Sequence, residues 1–148
     1  MNKKILKLSS LEKIIFRLKS KKKKIVLCHG VFDLLHVGHI KHFEEAKKQG
    51  DILIVSITTD KFVIKGPNRP AFNEKLRADA LAALQAIDYV VVSNFSTATA
   101  ILQKIKPNIY CKGNEYKNFK NDTTGEIKNE NKVLKKFGGK IFFTSGIT

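Results

Sequence analysis

Ile25-Val-Leu-Cys28-His-Gly30-Val-Phe-Asp33-Leu-Leu-His36-Val-Gly38-His39 is the stretch on which the reading of this chain turns. A short apolar run ends at a glycine, and the helical pattern from Ile40 to Gln49 follows. That order describes a strand, a glycine turn and a helix whose opening turn carries two histidines. A helix start presents unpaired backbone N–H groups and a positive dipole end, so it attracts phosphate. His36 and His39 are three apart, which puts both imidazoles on one side of that helix end. Gly38 removes a side chain where a polyphosphate would come close. The arrangement suits holding an anion while charge moves on phosphorus.

Working outward, apolar runs alternate with amphipathic stretches. Residues 9–20 read as a helix with a serine cap and with Leu11, Ile14, Ile15 and Leu18 on one face. Strands are predicted near 24–29, 52–57, 89–92, 108–111 and 140–144, each short and rich in Val and Ile. Helices are predicted near 38–49, 74–86, 97–106 and 125–137. This alternation predicts an α/β fold: a Rossmann-like, doubly wound, five-stranded parallel sheet with helices on both faces. Ligands of such sheets bind beyond the carboxyl ends of the strands, and the glycine-histidine segment follows the first strand. Lys65-Gly-Pro-Asn-Arg-Pro70 and the polar stretch from Lys112 to Thr124 read as long loops at that same end.

Composition narrows the classes. The 148 residues are 43% hydrophobic and 28% charged, a globular balance, and are expected to form one domain spanning 1–148. No apolar run approaches the roughly 18 residues of a membrane span. The N-terminal Met1-Asn-Lys-Lys-Ile-Leu-Lys-Leu lacks the long apolar core of a secretory signal. A cytoplasmic protein with no membrane association is expected, its Cys28 and Cys111 reduced and buried. The net charge of +15 fits a lysine-rich solvated surface, a positive field for anionic small substrates, or nucleic acid. Nucleic acid is disfavoured because the densest run, Lys21 to Lys24, has no interleaved aromatics.

A zinc site built from His36, His39, His42 and Cys28 is the sharper rival for the histidines. His42 is six residues from His36, however, and faces another side of the helix. Neither His-Glu-x-x-His nor paired Cys-x-x-Cys occurs. Gly-x-x-x-x-Gly-Lys-Ser/Thr is absent, and so is Gly-x-Gly-x-x-Gly after the first strand. Histidines and lysines at a helix end without an activated nucleophile suit direct transfer between two bound substrates.

Gly30 to His39 resembles the signature of the cytidylyltransferase-like nucleotidyltransferases. The resemblance extends through Lys4-Ile-Leu-Lys-Leu-Ser-Ser-Leu-Glu12, Lys65 to Pro70, Leu76-Arg77, Ala83-Leu-Gln-Ala-Ile-Asp-Tyr-Val-Val91 and Lys106 to Tyr116. Over these blocks the chain is similar to the adenylyltransferase domain of bifunctional heptose-phosphate enzymes. Glycerol-3-phosphate cytidylyltransferases are similar over the first motif but have Arg-Tyr-Val-Asp where this chain reads Gln85-Ala-Ile-Asp88. That departure favours the heptose-like branch.

The resemblance implies transfer of a nucleoside monophosphate from ATP or CTP, with magnesium, to a sugar or polyol phosphate. Other readings it leaves open are cytidylyl transfer to a small polyol phosphate or phosphonate, and a non-catalytic nucleotide-binding module. It implies catalytic roles for His36, His39 and Lys65. Gly30, Val31, Phe32, Asp33, Gly38, Arg77, Lys112, Gly113 and Glu115 are implied in nucleotide binding. Asp33 either holds the surroundings of the acceptor phosphate or caps its turn, and Arg77 is either a family arginine or an ordinary surface one. No carboxylate cage for a metal is visible, so substrate oxygens are expected to hold the magnesium. Homodimers and a fused or partner sugar kinase also fall within the resemblance. A Ser/Thr-rich motif opening a further helix is expected after the last strand. The sequence reaches only Phe143-Thr-Ser-Gly-Ile-Thr148, as a fragment of a longer chain would.

Overall fold

The computed structural model describes residues 2–63, 70–114 and 125–145. Its elements are α1 (Leu8–Ser20), β1 (Ile25–Gly30), α2 (Val37–Lys47), β2 (Ile52–Thr58), α3 (Glu74–Ala82), β3 (Tyr89–Ser93), α4 (Ala98–Ile105), β4 (Ile109–Lys112), α5 (Glu126–Lys135) and β5 (Lys140–Phe143). A 3₁₀ turn, Asp60–Phe62, follows β2. The five strands run in the order β3-β2-β1-β4-β5, and every neighbouring pair is parallel.

Parallel strands covered on both faces read as continuous apolar runs, and these do. Ile25 to Cys28 and Leu53 to Val55 are fully buried. Alternation divides their side chains between two cores. Val26, Cys28, Leu53, Val55 and Ile57 pack against Phe43 and Ala46 of α2 and Ala78, Leu81 and Ala82 of α3. Ile25, Leu27, Ile54 and Tyr110 pack against Leu11 and Ile15 of α1, Ile101, Leu102 and Ile105 of α4, and Val133 and Leu134 of α5. The sheet is therefore doubly wound, as the alternation predicts. Chain order reverses between β1 and β4, so the crevice opens at their carboxyl ends.

Three details differ from the sequence reading. Helix α1 starts one residue early, with Lys7 at its cap and no side-chain cap bond, so the expected serine cap is absent. Ser9 and Ser10 lie inside the first turn. Helix α3 ends at Ala82 rather than 86; tight turns then bring Ile87 into the core, and Lys4 Nζ donates to the carbonyl of Leu84 (3.0 Å). Residues 4–6 run beside β3, where Leu6 N–H donates to Val90 O and Val90 N–H to Lys4 O (2.9 Å each). That pairing covers a sheet edge that would otherwise expose its ladder groups. Cys28 and Cys111, 83 residues apart, are buried, free and paired across β1 and β4. No helix among the described residues is long and apolar enough to cross a membrane.

Candidate active site

Strand β1 ends at Gly30, and the turn to α2 folds back on itself at Phe32, whose φ of +50° is uncommon for a side-chain-bearing residue. The Phe32 ring lies over Gly30, where an added Cβ would meet it at 3.0 Å. It also packs edge-on against Phe43 and His39, with centroids 5.0 and 5.7 Å away. A side chain at Gly30 would therefore have to displace the ring that braces the turn.

His36 is the residue before α2, with extended backbone. Gly38 N–H donates to His36 Nδ1 (3.0 Å), and His36 N–H donates to His39 Nδ1 (3.3 Å). This is a reciprocal capping arrangement with imidazoles in the roles usually taken by Ser and Glu. The two rings lie 4.0 Å apart, tilted by 36°. Because each Nδ1 accepts, each neutral ring carries its proton on Nε2, the edge turned away from the bonded amide. No acidic residue occupies the first turn of α2, so no carboxylate of that turn offsets its positive end. Donors held in this way at a helix start suit an anion.

The turn also fastens the segment that leaves β2. Asp33 accepts from the N–H groups of Ala71 (2.6 Å) and Phe72 (2.8 Å). The sequence left Asp33 between an acceptor-site role and a turn cap; in the structure its carboxylate holds the backbone at Ala71 and Phe72. Arg77, read either as a nucleotide contact or as a surface arginine, is buried. Its guanidinium donates to Val31 O (2.9 Å), Phe72 O (3.1 Å) and Asp60 Oδ1 (2.7 Å). Glu74 in turn accepts from Asp60 N–H (3.1 Å). Asp60, Ala71 and Phe72 are therefore all tied to the histidine-bearing turn. Lys65 and Glu115, two expected site residues, lie outside the described residues.

Asp33→Asn keeps the side chain's size but removes its charge and one acceptor. It is expected to cost about 1 kcal/mol and to speed hydrogen exchange at the Ala71 and Phe72 amides. Unchanged exchange there would remove the clasp.

On the other side of β1, Lys112 closes β4 and Gly113 follows it. Lys112 Nζ is 3.5 Å from Glu130 Oε1 and 5.4 Å from the centre of the Tyr110 ring. Glu130 is buried on α5; burial pushes its carboxyl above the ordinary range, and Lys112 pulls it back. His42, weighed from sequence as a zinc ligand, pairs its Nδ1 with Thr144 Oγ1 (2.7 Å). Glu45 accepts from the N–H and hydroxyl of Ser145 (2.9 Å each), so α2 also grips the exit of β5. No group of three or more metal-ligating side chains is placed to hold an ion among the described residues.

Sequence reasoning missed His29. It pairs in register with Ser56 of β2, and its Nδ1 lies 2.7 Å from Ser56 Oγ. Burial and the nearby Lys112 ammonium hold its pKa down to about 4. The unfolded chain takes up that proton first, so His29 contributes stability above pH ~6.5 that is lost as pH falls towards 4. His29→Gln is expected to flatten the dependence of unfolding free energy on pH in this window. An unchanged slope in urea titrations would exclude His29 as its source.

Residues 27–144 match the cytidylyltransferase-like family. The chain is 41% identical over 133 residues to bifunctional protein HldE of Aliarcobacter butzleri, covering 88% of this chain and 28% of that protein. It is 39% identical over 140 residues to bifunctional protein HldE of Geobacter metallireducens, covering 93% and 27%. It thus spans about a quarter of the length of these curated relatives. The solved lipopolysaccharide core biosynthesis protein of Thermoplasma volcanium superposes with a TM-score of 0.70 at 26% identity, over 85% of this chain and 99% of that one. With the paired histidines at the β1–β4 crevice and a match over most of its length, this chain belongs to the cytidylyltransferase-like family.

Proposed function

We propose that the chain transfers a nucleoside monophosphate from ATP or CTP to a phosphorylated sugar resembling heptose 1-phosphate, releasing pyrophosphate. The observation that carries this reading is the histidine pair, whose Nδ1 atoms are engaged by backbone amides; this supports Nε2–H as the donor to the phosphates. An acceptor phosphate oxygen attacks the α-phosphorus, and the bond to the pyrophosphate oxygen breaks. The attacking group is already an anion, so no general base is needed. What the protein must supply is alignment and donors for charge gathering on the equatorial oxygens. The nucleotide enters as its magnesium complex, with the phosphates as the metal's main ligands. Asp33 and Asp60 are occupied with loop amides and Arg77.

In this reading Lys65 adds a further donor to the phosphates. Lys112, Gly113 and Glu115 form the nucleoside side of the site. Among acceptors, the heptose-like sugar is favoured by Gln85-Ala-Ile-Asp88 and by similarity to the bifunctional relatives. The phosphorylated acceptor would come from a sugar kinase, fused or separate, in the cytoplasm where nucleoside triphosphates are available. A homodimer is compatible with this scheme.

The test is pyrophosphate release from ATP or CTP with magnesium and a panel containing heptose 1-phosphate, hexose 1-phosphates and glycerol 3-phosphate. Release that requires a sugar phosphate is expected. No release with any acceptor, or equal release without one, would overturn the proposal.

A further inference from the structure

The chemistry proposed above uses the face of β1 towards α2. At the same strand end the opposite face carries His29, because alternation puts it with Leu27 rather than Cys28. Its imidazole is half-buried, and Ser56 beneath it is fully buried. Nδ1 and Ser56 Oγ satisfy each other at 2.7 Å. Nε2 has no hydrogen-bond partner among the described residues and is not among their fully buried polar atoms, so it is open to a partner from outside.

Three properties indicate what that is. The ring is neutral across the physiological range, since burial and Lys112 keep its pKa near 4. A neutral imidazole does not attract phosphate as a cation would; it suits an uncharged hydroxyl. The Ser56 hydroxyl can rotate, so it sets Nδ1 as donor or acceptor and leaves Nε2 the complementary role. Lastly, the pair lies at the β1–β2 boundary on the face of β1 turned away from α2, whereas His36 and His39 open α2. In-line displacement puts attacking and leaving groups on opposite sides of the phosphorus, so the acceptor lies away from the histidine pair that receives the triphosphate.

We propose that His29, oriented by Ser56, reads a hydroxyl of the acceptor sugar and sets specificity for a polyhydroxylated acceptor. The inference rests on the transferase reading and extends it to the acceptor side. The test is histidine-selective ¹⁵N NMR of the full chain, with α,β-methylene-ATP as unreactive nucleotide and heptose 1-phosphate, mannose 1-phosphate or inorganic phosphate as second ligand. The nucleotide alone is expected to move the His36 and His39 resonances. A sugar phosphate, but not inorganic phosphate, should then move His29 Nε2. In steady-state assays His29→Ala and Ser56→Ala should raise the KM for sugar phosphate roughly tenfold with the nucleotide KM unchanged. His29→Gln, whose amide reaches the position of Nε2, should recover part of the loss.

A His29 signal that stays still under saturating sugar phosphate, while His36 and His39 respond to nucleotide, overturns the inference alone. So does a His29 signal that moves with nucleotide only, or a nucleotide KM that rises instead. Silence of His36 and His39 towards nucleotide, with no pyrophosphate released, is the distinct failure of the transferase reading itself.

Discussion

Replacing His39 by alanine is expected to lower kcat by about a hundredfold to a thousandfold, the range for removing one preorganised donor from a developing charge, with little change in fold. The ring has two jobs that can be separated. Its Nδ1 accepts the His36 amide and so helps start α2. Its Nε2–H is the edge that would face the α-phosphorus. Loss of a capping acceptor costs about 1 kcal/mol, small beside the stability of a domain with two continuous cores. Thermal unfolding should therefore shift by only a few degrees while pyrophosphate release nearly stops. His39→Asn sharpens the comparison, because its side-chain carbonyl can still accept the His36 amide but reaches less far. Cap-like stability with alanine-like turnover is expected from it. Turnover equal to wild type in either variant would remove His39 from the chemistry.

How much of this was legible in the residues varied with the range of the interactions. The strands were readable because buried parallel strands are written locally, as runs such as Ile25 to Cys28. The histidine pair was readable because a three-residue spacing at a strand-to-helix turn has one geometric outcome. What stayed hidden depends on partners distant in the chain. Asp33 bonds amides 38 and 39 residues away, and Arg77 reaches back 46 residues to Val31. No local pattern separates such an arginine from a surface one. Cys28 and Cys111 face each other only because β1 and β4 are neighbours, which strand order decides. His29 was different in kind. Alternation along β1 already sets it on the face opposite Gly30, and the reading stopped one residue short of using that.

Arg77→Ala tests the buried strut and should have the opposite signature to His39→Ala. Its guanidinium is fully enclosed, yet all its bonds go to groups of the scaffold: two carbonyls and the Asp60 carboxylate. Removing it leaves Val31 O and Phe72 O without donors and Asp60 without its cation. Breaking a buried pair from one side costs about 3–5 kcal/mol; Asp60 keeps some solvent contact, which argues for the lower end. Arg77→Lys should recover little, since one ammonium cannot span three acceptors set out for a planar fork. The expected result is a large loss of unfolding free energy in urea, equally large with and without nucleotide. If Arg77 instead bound the nucleotide directly, stability would hold and the nucleotide KM alone would rise. A strut has a further consequence, because Arg77 and Asp33 pull on the same loop from either side of Phe72. Their substitutions should be non-additive, the double variant costing less than the two single losses combined. Strict additivity would mean that the two side chains hold separate structures, and that the loop is not fastened to the histidine turn as one unit.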